Sequence, residues 1–167
     1  MQSVPRSRFL LVFHEIVFGI EDSLVSTVGL LSGVVASGAE TKVIVTTGLI
    51  LIFVEAFSMG MGSILADNST RQVASHKEVP LSDSVLAGSS MFFAYILAGL
   101  VPWSPYLLFD RGDAFIVSVV GSIFALFLLG AVQGRIARIH IFKQGIQMAA
   151  LGGLAILLGV TVGNMLN

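Results

Sequence analysis

Long apolar runs broken by short polar stretches dominate this chain. A helix needs about 20 apolar residues to cross a bilayer core. Segments 9–35, 42–66, 84–101, 114–133 and 145–166 meet that length. Ser37-Gly38-Ala39-Glu40-Thr41 separates the first two as a tight turn. Pro102-Trp103-Ser104-Pro105-Tyr106, then Asp110-Arg111-Gly112-Asp113, separates the third and fourth. Proline brings no N–H to a helical ladder, so both prolines are expected to end helices. Trp103 and Tyr106 suit the headgroup level. The longest polar stretch, 67–83, includes Asn68, Arg71, Gln72, His76, Lys77, Glu78 and Pro80. It is too short and too polar to hold a core of its own, and reads as a linker. The expected fold is all-α: a polytopic membrane protein with five transmembrane helices in a single domain, 1–167.

Composition agrees. The chain is 55% hydrophobic and 11% charged, against about 25% charged residues in a soluble domain. Its formal charge of −1 gives no support to nucleic-acid binding, which needs a basic face. There is no cysteine, which removes disulfides, thiolate zinc sites and iron–sulfur clusters. Any metal must then be held by carboxylate, thioether, imidazole, amide or backbone oxygen.

Charge also orients the spans. Arg6 and Arg8 precede the first run as in a signal peptide, but a cleavable core is only about 7–15 residues and apolar throughout. The run 9–35 contains acids and is read as a retained span. Arg6, Arg8, Arg71, Lys77, Arg135, Arg138 and Lys143 fall on one side, and only Lys42 and Arg111 on the other. By the positive-inside rule the N-terminus and the 67–83 linker are cytoplasmic, and the C-terminus is not. Compactness and the lack of targeting signals favour a prokaryotic cell membrane over a vacuolar one.

Glu21, Asp22 and Glu55 stand inside the apolar runs. Each costs on the order of 3 kcal/mol at a helix centre, so the default reading is a path or site for a cation. Residues seven apart on a helix nearly eclipse, drifting by only ~20°. Glu15 and Asp22 share one stripe of the first span with Gly19, Ser26, Gly29 and Gly33. Small residues let helices approach closely, so this stripe is expected to face a partner helix or a wet cavity. Glu21 is turned about 100° from Asp22, which makes Asp22 the site acid and Glu21 a lining residue.

In the second span Glu55, Met59 and Ser63 recur at i, i+4 and i+8. Paired with the first span, this stripe yields a candidate metal site of Asp22, Glu55 and Met59, lined by Gly19, Ser26, Ser63 and Glu21. Carboxylates alone suit Mg²⁺ or Ca²⁺; an added thioether favours Fe²⁺ or Mn²⁺. That ion is expected as cargo, with no permanently bound cofactor. Met59 also has a plain reading as gap-filling core. His14, His76 and His140 read as interfacial, and Gly159 with Gly163 as helix packing. One chain offers too few ligands for a six-coordinate ion, which suggests a two-fold homodimer. A cation binding to buried acids must displace protons, so proton-coupled exchange is expected. The chain has no HExxH motif and no Ser/His pair at a shared depth, so no enzyme is expected.

Two motifs carry a family resemblance: Phe18-Gly19-Ile20-Glu21-Asp22-Ser23-Leu24-Val25-Ser26 and Phe57-Ser58-Met59-Gly60-Met61-Gly62. The chain resembles the vacuolar iron transporter family, most strongly over 15–66. The resemblance implies a homodimer that exports Fe²⁺, often Mn²⁺ too, from the cytosol in exchange for protons along the dimer interface. It carries the family's central aspartate onto Asp22, its methionine onto Met59 and an entrance acid onto Glu15. There are departures. The usual Asp-Gly is Asp22-Ser23, and an acid some members hold two turns before the methionine corresponds to Leu51, for which Glu55 is a conjectural substitute. The cytoplasmic metal-binding insert of many members is replaced by the 67–83 linker, so this is a short form. Other readings are a channel or exchanger for Mg²⁺ or Na⁺, and a non-transporting assembly or regulatory protein.

Overall fold

Apolar sequence of this kind folds as helix because lipid offers no partner for a free backbone N–H or C=O. In the computed structural model, which describes residues 8–166, the elements are α1 (Arg8–Ala36), α2 (Thr41–Ser75), a 3₁₀ turn (Leu81–Ser84), α3 (Val85–Trp103), a short α4 (Pro105–Leu108), α5 (Arg111–Ile136) and α6 (Ile141–Met165). Four of them, α2, α3, α5 and α6, are long and apolar enough to cross a membrane. α1, at 29 residues, matches their length but carries the acids. Arg6 lies outside the described residues. The outward faces are apolar, with Phe53 and Phe57 on α2, Val120 and Phe124 on α5, and Leu157 and Leu158 on α6 all exposed. Apolar faces of that extent suit lipid rather than water.

α2 departs from the expected boundary. The polar residues from Asp67 to Ser75 extend the helix rather than form a linker. The reason is local. Arg71 donates to Asp67 (2.7 Å), Gln72 to Asn68 (2.8 Å), and the Thr70 and Ser75 hydroxyls to carbonyls one turn back (2.8 Å each). Pairs at i, i+4 support a helix that has no core to lean on. The helix stops at His76, which adopts the left-handed conformation with φ 52°. The extension is tied back to the bundle, for Ser84 donates to Asp67 (2.7 Å) and Asn68 donates to the Val79 carbonyl (3.0 Å).

α1 is central. It packs most extensively on α3 and α6, while α2 packs mainly on α3 and touches α1 less. The small stripe of α1 is therefore shared between helices instead of facing α2 alone. A Cβ at Gly19 would meet Met91 and Ala94 of α3, whereas one at Gly33 would lie 2.8 Å from the Gly159 carbonyl oxygen of α6. Conversely, a Cβ at Gly159 would collide with the Gly29 carbonyl, and one at Gly163 with that of Gly33. The α1–α6 crossing is thus backbone against backbone, as Gly159 and Gly163 suggested.

The end of the bundle at the α1–α2 turn is tied by polar groups. The Arg111 guanidinium donates to the carbonyls of Val35 (2.9 Å), Gly38 (3.1 Å) and Ala39 (3.2 Å), satisfying acceptors that the end of α1 leaves open. Two expectations change here. Pro102 sits inside the last turn of α3, and Pro105 opens α4. Trp103 and Tyr106 do not simply face headgroups. Trp103 donates to the Val45 carbonyl (2.9 Å), and Tyr106 is buried with Leu31, Ile44 and Ala114. Both rings find apolar contact inside the bundle.

Candidate functional site

The acids of α1 and the stripe of α2 meet along one seam. Ser63 donates to Glu15 Oε2 at 2.8 Å, and His14 Nδ1 lies 3.5 Å from the other oxygen of that carboxylate. Two turns along α1, the Asp22 carboxylate lies close enough to Glu55 for the two to repel. The helices run antiparallel, so Met59 sits on the α2 stripe between these two contacts, half-buried. The sequence expectation thus brings together Glu15 with Ser63, and Asp22 with Glu55. Met59 lies on the same seam, one turn from Glu55 along α2.

The third wall comes from α3, which the sequence reading missed. Tyr95 is fully buried, feels the charges of both Asp22 and Glu55, and its hydroxyl lies 2.7 Å from Ser26 Oγ. Ser23 donates to the Tyr95 carbonyl at 2.6 Å, locking α3 against α1 at the level of the acids. Ser26 therefore lines the site through Tyr95. One turn away Met91, also buried, places its sulfur 3.0 Å from where a Gly19 Cβ would stand. Gly19 is small because Met91 fills its space. A signal for Tyr95 was present, since a phenol in the middle of the third apolar run calls for a polar partner when buried.

On its other side the α1 face is open. Asp22, Glu21, Phe18 and Val25 line a groove of about 320 Å³ whose far wall is Leu151, Leu154, Ala155 and Leu158 of α6. Glu21 also reaches a second groove, of about 530 Å³, beside His14, Gln133 and Gln144. Asp22 and Glu21 both border this α1–α6 groove. Among the described residues no three His, Cys, Asp or Glu side chains stand close enough to hold a metal ion together.

Apolar helices that enclose facing carboxylates define an integral, multi-pass membrane protein with a polar seam inside. A family model of the VIT family matches residues 13–79 and 73–164, and the chain belongs to that family. It is 22% identical to vacuolar iron transporter 1 of Arabidopsis thaliana, covering 86% of this chain and 82% of that protein. It is 24% identical to vacuolar iron transporter 2 of Oryza sativa subsp. japonica, covering 86% and 83%. Both alignments run over 204 positions, more than the 167 residues of this chain. The relatives therefore hold residues this chain lacks. The two matched segments overlap over 73–79, the end of α2 and the start of its connection to α3, where the short form was expected to lack an insert. By name these relatives are vacuolar, so the preference for a prokaryotic cell membrane has no support from them.

Proposed function

We propose that this protein is a transporter of divalent metal, Fe²⁺ or Mn²⁺, which it exports from the cytosol in exchange for protons. In this reading it crosses the membrane five times, α1 included, with its N-terminus cytoplasmic, and works as a two-fold homodimer. Asp22, Glu55 and Met59 bind the ion in transit. Glu15, held by Ser63, receives it, and Glu21, Ser26 and Gly19 line the way.

The observation that carries the reading is the hydrogen bond of Ser63 to Glu15 at 2.8 Å, which sets the acids of α1 along the Glu55–Met59–Ser63 stripe of α2 beside the fully buried Tyr95. Like charges at this depth repel and are poorly solvated; a divalent cation between them relieves both penalties. Family membership and relatives named as iron transporters support the choice of cargo. Two carboxylates and one thioether fall short of the roughly six ligands expected for octahedral metal sites. The open α1 face offers room for a second copy that would double the set.

The test is metal flux in proteoliposomes, comparing wild type with Asp22→Ala for Fe²⁺, Mn²⁺, Mg²⁺ and Ca²⁺. Flux of Fe²⁺ and Mn²⁺ should fall by about a hundredfold, the upper range for disturbing a metal site. An imposed pH gradient should drive uptake in wild type only. Equal flux with and without the gradient contradicts the exchange.

A further inference from the structure

Consecutive residues of a helix point about 100° apart, so neighbouring side chains do not ordinarily face one another. His14 and Glu15 are an exception. The Glu15 side chain is 11% exposed and the His14 side chain 56%, yet His14 Nδ1 leans to within 3.5 Å of Glu15 Oε1. That distance is too long for a hydrogen bond, which spans about 2.7–3.2 Å. The imidazole rests near Phe18, one turn along, with ring centroids 6.1 Å apart. Ser63 donates to Oε2, the other oxygen of the carboxylate. It fixes that group and leaves Oε1 toward the imidazole.

Two donors at this separation suit a shared ion. In first-row metal sites imidazole nitrogen and carboxylate oxygen each lie about 2.1 Å from the metal. Such donors are about 3.0 Å apart at a right angle and ~4.2 Å apart when opposed, and 3.5 Å falls between. A neutral imidazole with its proton on Nε2 presents Nδ1 as a lone pair. There is room on the outer side as well. His14 borders the groove of about 530 Å³ against α5 and α6, whose other polar groups are Glu21, Gln133 and Gln144. An ion held by the pair keeps its remaining waters on that side.

We infer that His14 and Glu15 form a capture pair at the mouth of the α1–α2 seam, in which the imidazole selects a transition metal such as Fe²⁺ against Mg²⁺. The inference rests on the transporter reading and adds to it the group that discriminates. Imidazole suits iron and its neighbours, whereas carboxylate and water alone suit Mg²⁺ and Ca²⁺. Two side chains make a weak site, and an entrance needs one, since the ion must leave again to move on. Asp22, seven residues along the same stripe, lies about 10 Å deeper. Selection thus begins before the ion reaches Met59.

The test uses the full-length protein without a histidine tag. With Mn²⁺ bound in detergent, pulsed EPR should show coupling to an imidazole nitrogen in wild type, His76→Ala and His140→Ala, and none in His14→Ala. Asp22, Glu55 and Met59 carry no side-chain nitrogen, so the coupling reports on the entrance alone. In liposomes, His14→Ala should raise KM for Fe²⁺ about tenfold, the lower range for a lost metal partner, with kcat much less affected. His14→Asp sets an oxygen at the same bond distance from the backbone as Nδ1. It should recover most of that KM, while Mg²⁺ competes about tenfold better than against wild type. Coupling that survives in His14→Ala, or an unchanged KM for Fe²⁺, overturns the capture pair and spares the transporter. So does an equal fall in kcat and melting temperature, which marks the ring as packing on Phe18. No Fe²⁺ flux in wild type sinks the transporter reading, and the EPR comparison then decides the capture pair by itself.

Discussion

One helix, α1, has two unlike stretches along a single stripe. Toward α6 it offers Gly29 and Gly33 to Gly159 and Gly163, and the contact is so close that no side chain fits. Toward α2 it offers Glu15 and Asp22 to Ser63 and Glu55, and those helices pack less extensively. In lipid, where apolar surface gains little by leaving the solvent, close backbone approach holds helices together. The glycine crossing anchors the later turns of α1, so the earlier turns of the same stripe can carry unfavourable charge. Stability and chemistry are divided between two stretches of a single element.

This division can be broken deliberately. The largest effect is expected from Gly159→Leu, whose side chain collides with α1 backbone. It should destabilise the bundle by about 3 kcal/mol, seen as a lower melting temperature in detergent, with the KM of the surviving folded fraction unchanged. Ser63→Ala should do the reverse. Freeing Glu15 from its hydrogen bond should raise KM for metal about tenfold, as loss of an orienting group does, with thermal stability nearly unchanged. If Ser63→Ala lowers the melting temperature as much as Gly159→Leu, the seam is structural and the comparison fails.

Much of this was legible in the chain itself, and the rest was hidden for identifiable reasons. Helical periodicity placed Glu55, Met59 and Ser63 on one stripe and Glu15 with Asp22 on another, and those stripes do meet. Periodicity within a helix says nothing about which neighbour each turn touches. The stripe of α1 was thus taken for a single contact when Gly19 faces α3 and Gly33 faces α6. Tyr95 was missed because its importance arises only when α3 wedges between α1 and α2. The continuation of α2 to Ser75 was missed because polarity was read as loop, although i, i+4 pairs such as Asp67 with Arg71 can sustain an exposed helix.

The smallest expected effect sharpens the seam further. Met59→Leu nearly conserves volume, so stability should change by less than about 1.5 kcal/mol. Selectivity for Mn²⁺ over Mg²⁺ should fall about fivefold, or about 1 kcal/mol, measured by competition in liposome flux. Unchanged selectivity would assign Met59 to packing and leave thioether chemistry, if any, to the buried Met91.

The polar clasp at the base of α2 has an evolutionary consequence. Ser84 on Asp67 and the Val79 carbonyl on Asn68 bring the two ends of the 69–78 stretch near one another before the next span begins. A foreign module spliced there would enter and leave at neighbouring points, and the spans would feel no tension from its size. Gain or loss of an appended globule in such a lineage then requires no rearrangement of the conducting core, which makes this joint a natural point for trading accessory parts.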